Sequence, residues 1–173
     1  AVAELRAMGL DVVLLSGDQR RTAEAVACEL GIERVVAEVL PAGKVAELER
    51  LQREGRVVAM AGDGVNDAPA LARADVGIAL GAGADVAVQA SDVTLMRSDL
   101  HGVARTIVLS RKALATMRQN LWWALAYNAA CVPLAVVGLL PAWLAGLGMA
   151  GSSLFVVLNA LRLARPVVVT KES

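Results

Sequence analysis

The sequence predicts an open, doubly wound α/β domain followed by a hydrophobic helical hairpin. Three observations carry that expectation. Short runs of β-branched and leucine residues alternate with segments of helical periodicity through residues 1–98, the pattern of a parallel sheet covered on both faces. Charge is unevenly distributed. Hydrophobic residues make up 57% of the 173 and charged residues 20%, yet from Leu121 to Leu161 there is no Asp, Glu, Lys, Arg or His. Finally, the string Met60-Ala61-Gly62-Asp63-Gly64-Val65-Asn66-Asp67-Ala68-Pro69-Ala70-Leu71 sets two carboxylates on a tight turn at the end of an apolar run.

Taken in order, residues 2–8 read as a short amphipathic helix ending at Gly9. Asp11 to Leu15 reads as a buried strand that stops at Ser16-Gly17-Asp18. Thr22 to Leu30 is helical and closes at Gly31. Arg34 to Val39 is a second strand. Pro41 opens a helix through Glu54, with Val45, Leu48 and Leu51 as its apolar stripe and Gly55 as its stop. A strand over 57–61 leads into the Gly62–Asp67 turn, and a helix follows from about Asn66 to Arg73. Val76 to Leu80 and Val93 to Met96 are further strands, separated by a short helix.

From Asp99 the period becomes helical throughout. Val103, Ile107, Leu114 and Met117 form an apolar stripe, with Arg105, Arg111, Lys112 and Arg118 between them, giving a basic amphipathic stalk over 99–118. Two apolar stretches follow, Leu121–Leu140 and Ala142–Leu161, within helices expected at 119–140 and 142–163. Each is about 20 residues, the length that crosses a hydrocarbon core of about 30 Å. Pro141 marks the turn between them, and residues 164–173 form a tail. Basic residues stand before the first stretch (Arg111, Lys112, Arg118) and after the second (Arg162, Arg165, Lys171). The soluble domain and both ends of the hairpin are therefore expected in the cytoplasm of a multi-pass protein of the cell membrane. Trp122, Trp123 and Trp143 fit an interfacial aromatic belt.

Composition narrows the partners. The formal net charge is zero, so nucleic acid is not expected as a partner, whereas membrane lipid is. Cys28 and Cys131 are far apart and form no C-x-x-C pair, which argues against a disulfide framework or a zinc site. The first residues, Ala1-Val2-Ala3-Glu4-Leu5, lack the basic and apolar regions of a signal peptide. They read like the middle of a helix, so a C-terminal fragment is expected.

The candidate chemistry lies at strand ends and inside the apolar stretches. In an open α/β sheet, ligands bind beyond the carboxyl ends of the strands. Two carboxylates as close as Asp63 and Asp67 repel unless a cation or proton lies between them. Oxygen donors with little room suit Mg²⁺, shared with a phosphate. Ser16 and Gly17 offer a hydroxyl and an amide to a phosphate oxygen. Lys44 lies in the first turn of the Pro41 helix, where anions are favoured; alone it would read as a surface lysine. Within the apolar stretches Tyr127, Asn128, Met149 and Ser153 supply a phenol, an amide, a thioether and a hydroxyl, with no carboxylate. Such donors suit a soft monovalent ion such as Cu⁺. On chemistry alone, helix packing by these residues and by Gly146, Gly148 and Gly151 is the stronger alternative. His101 and Cys28 read as core or surface residues, and Cys131 as a lipid- or helix-facing apolar residue.

The Gly62–Leu71 string resembles the hinge motif of P-type ATPases, members of the haloacid-dehalogenase-like phosphotransferases. The fold implied is a partial Rossmann-like haloacid-dehalogenase-type phosphotransfer domain followed by a two-helix transmembrane hairpin. By that resemblance Asp63 and Asp67 are the Mg²⁺ ligands and Asn66 helps to hold the phosphate surroundings. Pro41-x-x-Lys44 resembles the lysine motif that contacts the phosphoryl group. Ser16-Gly17-Asp18 resembles the second motif, with Ser in place of the usual Thr. The family transfers phosphate from ATP to the aspartate of Asp-Lys-Thr-Gly-Thr. No such string occurs here, and an isolated fragment is expected to be inactive.

Two terminal apolar stretches directly after this domain resemble the heavy-metal branch. Tyr127-Asn128 and Met149-x-x-x-Ser153 match its Cu⁺-transport positions, whereas zinc and cadmium pumps carry a lysine and an aspartate there. The run from Pro141-Ala142-Trp143-Leu144 to Asn159-Ala160-Leu161-Arg162-Leu163 most resembles the bacterial branch that supplies copper to cytochrome oxidase assembly. A copper chaperone is a candidate partner, and a monomer is the expected state. Rival readings are a membrane-anchored phosphatase of the same superfamily, a pump for another heavy metal, and a catalytically incomplete membrane fragment.

Overall fold

The computed structural model describes residues 1–81, 85–97 and 99–164. The chain divides into two compact units, Ala1–Ala104 and Arg105–Ser173. Sequence periodicity suggested a boundary at 98/99; the first unit extends further because the next helix begins inside it. Val103 and Ala104 are buried. His101 Nδ1 lies 3.1 Å from a Glu4 carboxylate oxygen, a partner that the sequence did not reveal.

In the first unit the elements run α1 (Val2–Ala7), β1 (Val13–Leu15), α2 (Arg20–Leu30), β2 (Arg34–Val36), α3 (Pro41–Arg53) and β3 (Ala59–Gly62). A 3₁₀ turn (Val65–Asp67), α4 (Ala68–Arg73), β4 (Val76–Leu80), α5 (Asp85–Gln89) and β5 (Val93–Leu95) complete it. All the strand pairs among the described residues are parallel, as the alternation of strands and helices demands. They form two sheets, however: β1 pairs only with β2, while β3, β4 and β5 form the second. The expectation of one continuous sheet is corrected in that respect. Both sheets still share a core. Leu15 from β1 packs against the cluster of Leu48, Met60, Ala70, Leu71 and Ala87. Deep burial of Leu48, Met60 and Leu71 contributes about 1.5–3 kcal/mol each.

Strand ends differ from the periodicity for local reasons. β2 stops at Val36 because the chain turns there: Glu38 takes a left-handed φ of 59°. Its N–H donates to the Asp18 carbonyl and that of Val39 to the Ser16 carbonyl. β3 starts only at Ala59, and the preceding Val58 N–H donates instead to the Asp75 carboxylate at 2.8 Å. Asp92 does the same for Gly77 N–H, also at 2.8 Å. These aspartates tie the strands at the ends opposite to Asp63. The helix expected from Asn66 opens as the 3₁₀ turn and becomes α-helical at Ala68, beside Pro69, whose missing N–H is harmless in a first turn.

The second unit holds most of α6 (Leu100–Val136), α7 (Ala142–Leu161) and a 3₁₀ turn (Arg162–Ala164). The expected first span to Leu140 is too long. Gly138, at φ +78°, ends α6. Its N–H donates to Ala135 O, and Leu139 N–H reaches back to Leu134 O, a left-handed glycine cap that satisfies the last carbonyls. Among the described residues a single helical stretch, Ala142–Ala164, is long and apolar enough to cross a membrane, with a mean hydropathy of 1.7. The apolar end of α6 does not reach that standard, because Gln119, Asn120, Tyr127, Asn128 and Pro133 dilute it. Arg165 and Lys171 lie outside the described residues.

A Cβ at Gly77 would lie 2.6 Å from the Leu71 carbonyl oxygen, so α4 touches β4 backbone to backbone. Gly77→Ala should destabilise the protein by about 1–3 kcal/mol, read from denaturant midpoints. Asp75 supplies a pH test. The Val58 N–H, then Gln52, hold its carboxyl below the usual 3.8. A depressed folded pKa stabilises above the unfolded value and is lost as pH falls through the folded one. The stability gap between wild type and Asp75→Ala should therefore be full above about pH 5 and shrink progressively below pH 3.8.

Candidate functional site

Two loops at the carboxyl ends of β1 and β3, and the first turn of α3, form the candidate site. Asp63 follows β3 directly and its carboxylate is exposed, with no hydrogen bond or ion pair among the described residues. Asp67 closes the 3₁₀ turn. Lys44 Nζ donates to its Oδ1 at 2.6 Å, and the two side chains keep only 13% and 15% of their exposure. The lysine thus crosses from the loop region of the first sheet to that of the second. Its place on α3 is held one turn on, where Glu47 accepts from Arg50 at 2.6 and 2.8 Å and lies 3.7 Å from Arg34 of β2. Arg50 chiefly, with help from Arg34, keeps the Glu47 carboxyl below its ordinary pKa.

Gly62 is required by Asp67. A Cβ at position 62 would fall 2.9 Å from both Cβ and Oδ2 of Asp67. The Gly-Asp-Gly spacing therefore has a packing reason, since the aspartate folds back over the strand end and leaves no room for a side chain. Gly43 plays a similar part in α3, where a Cβ would lie 2.7 Å from Val39 Cγ1.

Ser16 is locally engaged. Its hydroxyl donates to Asp18 Oδ2 at 2.9 Å and accepts from Asp18 N–H at 3.1 Å. Gly17 lies in the same turn, with the Val39 carbonyl 3.5 Å from where a Cβ would be. Asn66 is exposed inside the 3₁₀ turn. The structure therefore joins Lys44 and Asp67 in direct contact, and places Ser16, Gly17 and Asp18 together in a separate turn.

Whether this donor set fits Mg²⁺ can be judged from its chemistry. Asp63 has no side-chain partner among the described residues, Asp67 keeps Oδ2 outside its lysine bond, and both offer carboxylate oxygen. No cluster of three or more His, Cys, Asp or Glu occurs among the described residues. A cation here would thus be held by one or two carboxylates with waters and phosphate, the habit of Mg²⁺. The residues fit.

In the second unit, α6 and α7 meet along uncharged polar contacts. Trp123 Nε1 donates to Ser152 Oγ at 3.1 Å and Tyr127 Oη to the Ala145 carbonyl at 3.4 Å. Asn159 Nδ2 donates to Asn120 Oδ1 at 2.9 Å and Gln119 Oε1 at 3.3 Å. A Cβ on Gly148 would lie 2.7 Å from Tyr127 Oη. The α7 seam is thus Ala145, Gly148, Ser152 and Asn159, repeating at three and four residues. Tyr127 belongs to this seam. Asn128, Met149 and Ser153 each stand one residue past it and are exposed. In an antiparallel pair, one step past the seam on either helix turns to the same flank. Asn128 Nδ2 donates to the Ala124 carbonyl of its own helix at 2.8 Å. Sequence periodicity did not reveal the role of Asn159, the one buried polar side chain among the described residues; its place three residues before Arg162 at a helix end was the available signal.

The Lys44–Asp67 pair supports a direct test. Lys44→Met and Asp67→Asn should each cost about 1–3 kcal/mol, because each strands a partly buried partner. The double variant should cost less than the sum, as measured in a denaturation cycle.

Residues 1–75 match the family model described as haloacid dehalogenase-like hydrolase. The chain is 55% identical over 165 residues to a copper-exporting P-type ATPase of Bacillus subtilis, covering 95% of this chain and 21% of that protein. It is 59% identical over 164 residues to the probable copper-exporting P-type ATPase V of Mycobacterium tuberculosis, with the same coverage. It thus spans about a fifth of the length of these relatives. Among solved structures, a zinc-transporting PIB-type ATPase in its E2.Pi state superposes with a TM-score of 0.86 at 40% identity, over 95% of this chain and 27% of that one. Over nearly its whole length, the chain is similar to one stretch of the copper-exporting P-type ATPases, and it starts with a haloacid-dehalogenase-like α/β domain.

Proposed function

We propose that this chain supplies the phosphoryl-handling end and the last membrane hairpin of an ATP-driven Cu⁺ exporter. The observation that carries the reading is the junction of Lys44 with Asp67 beside the free carboxylate of Asp63, at the carboxyl ends of parallel strands. An ammonium and two carboxylates there can bind, orient and neutralise a phosphoryl group. Asp63 and Asp67 would hold Mg²⁺, which when bound supplies charge neutralisation at the phosphate oxygens. Lys44 holds Asp67 in place and presents a positive charge, Asn66 lines the turn, and Ser16 and Gly17 offer a hydroxyl and an amide once the Ser16–Asp18 bond opens.

The phosphoryl acceptor lies on a part of the protein outside this chain. Its aspartate attacks the γ-phosphorus of ATP and ADP leaves; water later cleaves the acyl phosphate. The two sheets support this division. The edges of β1 and β3 are not hydrogen-bonded to one another although they flank one core, and a parallel strand between them would present its carboxyl end to Lys44 and Asp63.

Cu⁺ is the favoured cargo. The apolar stretches contain no carboxylate or lysine, and Asn128, Met149 and Ser153 share one flank beside Tyr127. The relatives' names speak of copper export, so movement out of the cytoplasm is the adopted direction. Arg111, Lys112, Arg118 and Arg162 flank the apolar parts of α6 and α7, which supports two membrane crossings with both ends in the cytoplasm and the Pro141 turn outside. Membrane lipid and a copper chaperone are the partners this implies, and the protein works as a monomer.

Two variants of the full-length protein test the reading. Asp63→Asn should abolish phosphoenzyme formation from radiolabelled ATP; near-normal labelling at low Mg²⁺ would overturn the assignment. Met149→Ala should lower Cu⁺ stoichiometry and Cu⁺-stimulated ATPase activity while phosphorylation from inorganic phosphate persists. Wild-type stoichiometry, with loss of folded yield alone, would mean that Met149 only packs.

A further inference from the structure

We propose that the cleft between the Arg118 end of α6 and the Arg162 end of α7 is a binding site for the phosphate headgroup of an anionic phospholipid. The proposal rests on the reading that these helices enter a membrane, but not on the identity of the transported ion. The cleft has a volume of about 530 Å³, and its walls include Arg118, Trp122, Trp123, Phe155, Asn159 and Arg162.

Its charge is one-sided. Neither arginine has a carboxylate partner among the described residues, and no Asp or Glu occurs anywhere from Leu100 to Ala164. Arg162 is positioned from below. Its Nη1 donates at 3.3 Å to Oδ1 of Asn159, whose side chain is 8% exposed and whose amide nitrogen is held by Gln119 and Asn120. Among the described residues, Asn159 is the one side-chain partner of the Arg162 guanidinium. Arg118 faces it from the opposite helix. A planar guanidinium binds phosphate oxygens in pairs, so two of them around one cleft match a single phosphate diester.

The aromatic walls select a lipid over a free anion. Trp123 and Phe155 pack with ring centroids 4.5 Å apart and planes tilted by 36°, and Trp122 is 69% exposed. Both tryptophans stand at the start of the apolar stretch, about one helical turn after Arg118, the position where indole rings sit among headgroups and glycerol. Basic pockets between membrane helices at the cytoplasmic side are suited to anionic headgroups. The cleft also lies apart from the proposed copper donors. Trp122 and Ala126 stand one residue before the α6 seam and Asn128 one residue after it, so the cleft and the Asn128–Met149 flank are on opposite sides of the helix pair.

The test is lipid retention by the full-length transporter in native mass spectrometry, after exchange from phosphatidylcholine or phosphatidylglycerol detergent mixtures. Retention of one phosphatidylglycerol in preference to phosphatidylcholine is expected. Preference should fall about fivefold for each of Arg118→Gln and Arg162→Gln, with Cu⁺ stoichiometry unchanged. The doubly substituted Arg118→Lys, Arg162→Lys protein keeps the charge, guards against a folding defect, and should retain part of the preference. Arg111→Gln, outside the cleft, should retain all of it. Equal retention of the two lipids would overturn the proposal. So would equal displacement by millimolar inorganic phosphate, which would mean a simple anion site. Undiminished preference when both arginines are replaced together, Arg118→Gln with Arg162→Gln, would mean that the retained lipid sits elsewhere on the transporter, and would overturn it too. Failure of the membrane reading itself would appear separately, as release of the protein from vesicles of either lipid by alkaline carbonate.

Discussion

The contact on which the α/β unit depends is the ion pair between Lys44 and Asp67. It is short, at 2.6 Å, and largely withdrawn from water. A pair in that setting is held by geometry as much as by charge, since desolvation costs offset much of the attraction. What it achieves is placement. Lys44 comes from the helix after β2 and Asp67 from the turn after β3, strands in sheets that share no hydrogen bonds. The pair brings the two carboxyl edges together, and the Gly62 cradle then fixes where the Asp67 carboxylate rests. Asp63, one residue past that cradle, stays exposed with no side-chain partner among the described residues.

The ends of the sheets divide the labour. At the ends away from Asp63, Asp75 and Asp92 spend their carboxylates on strand N–H groups. At the other end the aspartates are turned toward a lysine or left open. Residue type alone does not distinguish them, because all four follow or precede apolar runs. Their roles follow from strand direction, and in a parallel sheet every strand shares that direction.

Uncharged polar pairs do for the helical unit what the ion pair does for the α/β unit. Trp123–Ser152, Tyr127–Ala145 and the Asn159 amide with Gln119 and Asn120 set the rotation of α6 against α7. Each such hydrogen bond is modest in energy, but its direction is specific. The rotation decides which flank Asn128, Met149 and Ser153 occupy and where the arginine-rimmed cleft opens.

The sequence by itself determined a good deal. Alternating apolar runs and helical stripes implied parallel strands with crossover helices, because connections of that length permit little else. The Gly62–Leu71 string located the turn that carries Asp63 and Asp67, and the charge-free stretch beyond Leu121 separated an apolar region from a charged one. Local rules also held where a glycine was recognised as a stop, as at Gly31. Gly138 was equally legible as a stop but was masked by the apolar residues around it, so α6 was expected to run four residues too far. Other features required the tertiary structure. The split into two sheets depends on which strands meet in space. The Lys44–Asp67 bond joins residues 23 apart, and the Glu4–His101 contact joins residues 97 apart. Periodicity reports which face of an element is apolar, but not which neighbour covers it. That choice is made by packing between elements, and so the site and the seam became visible only in the fold.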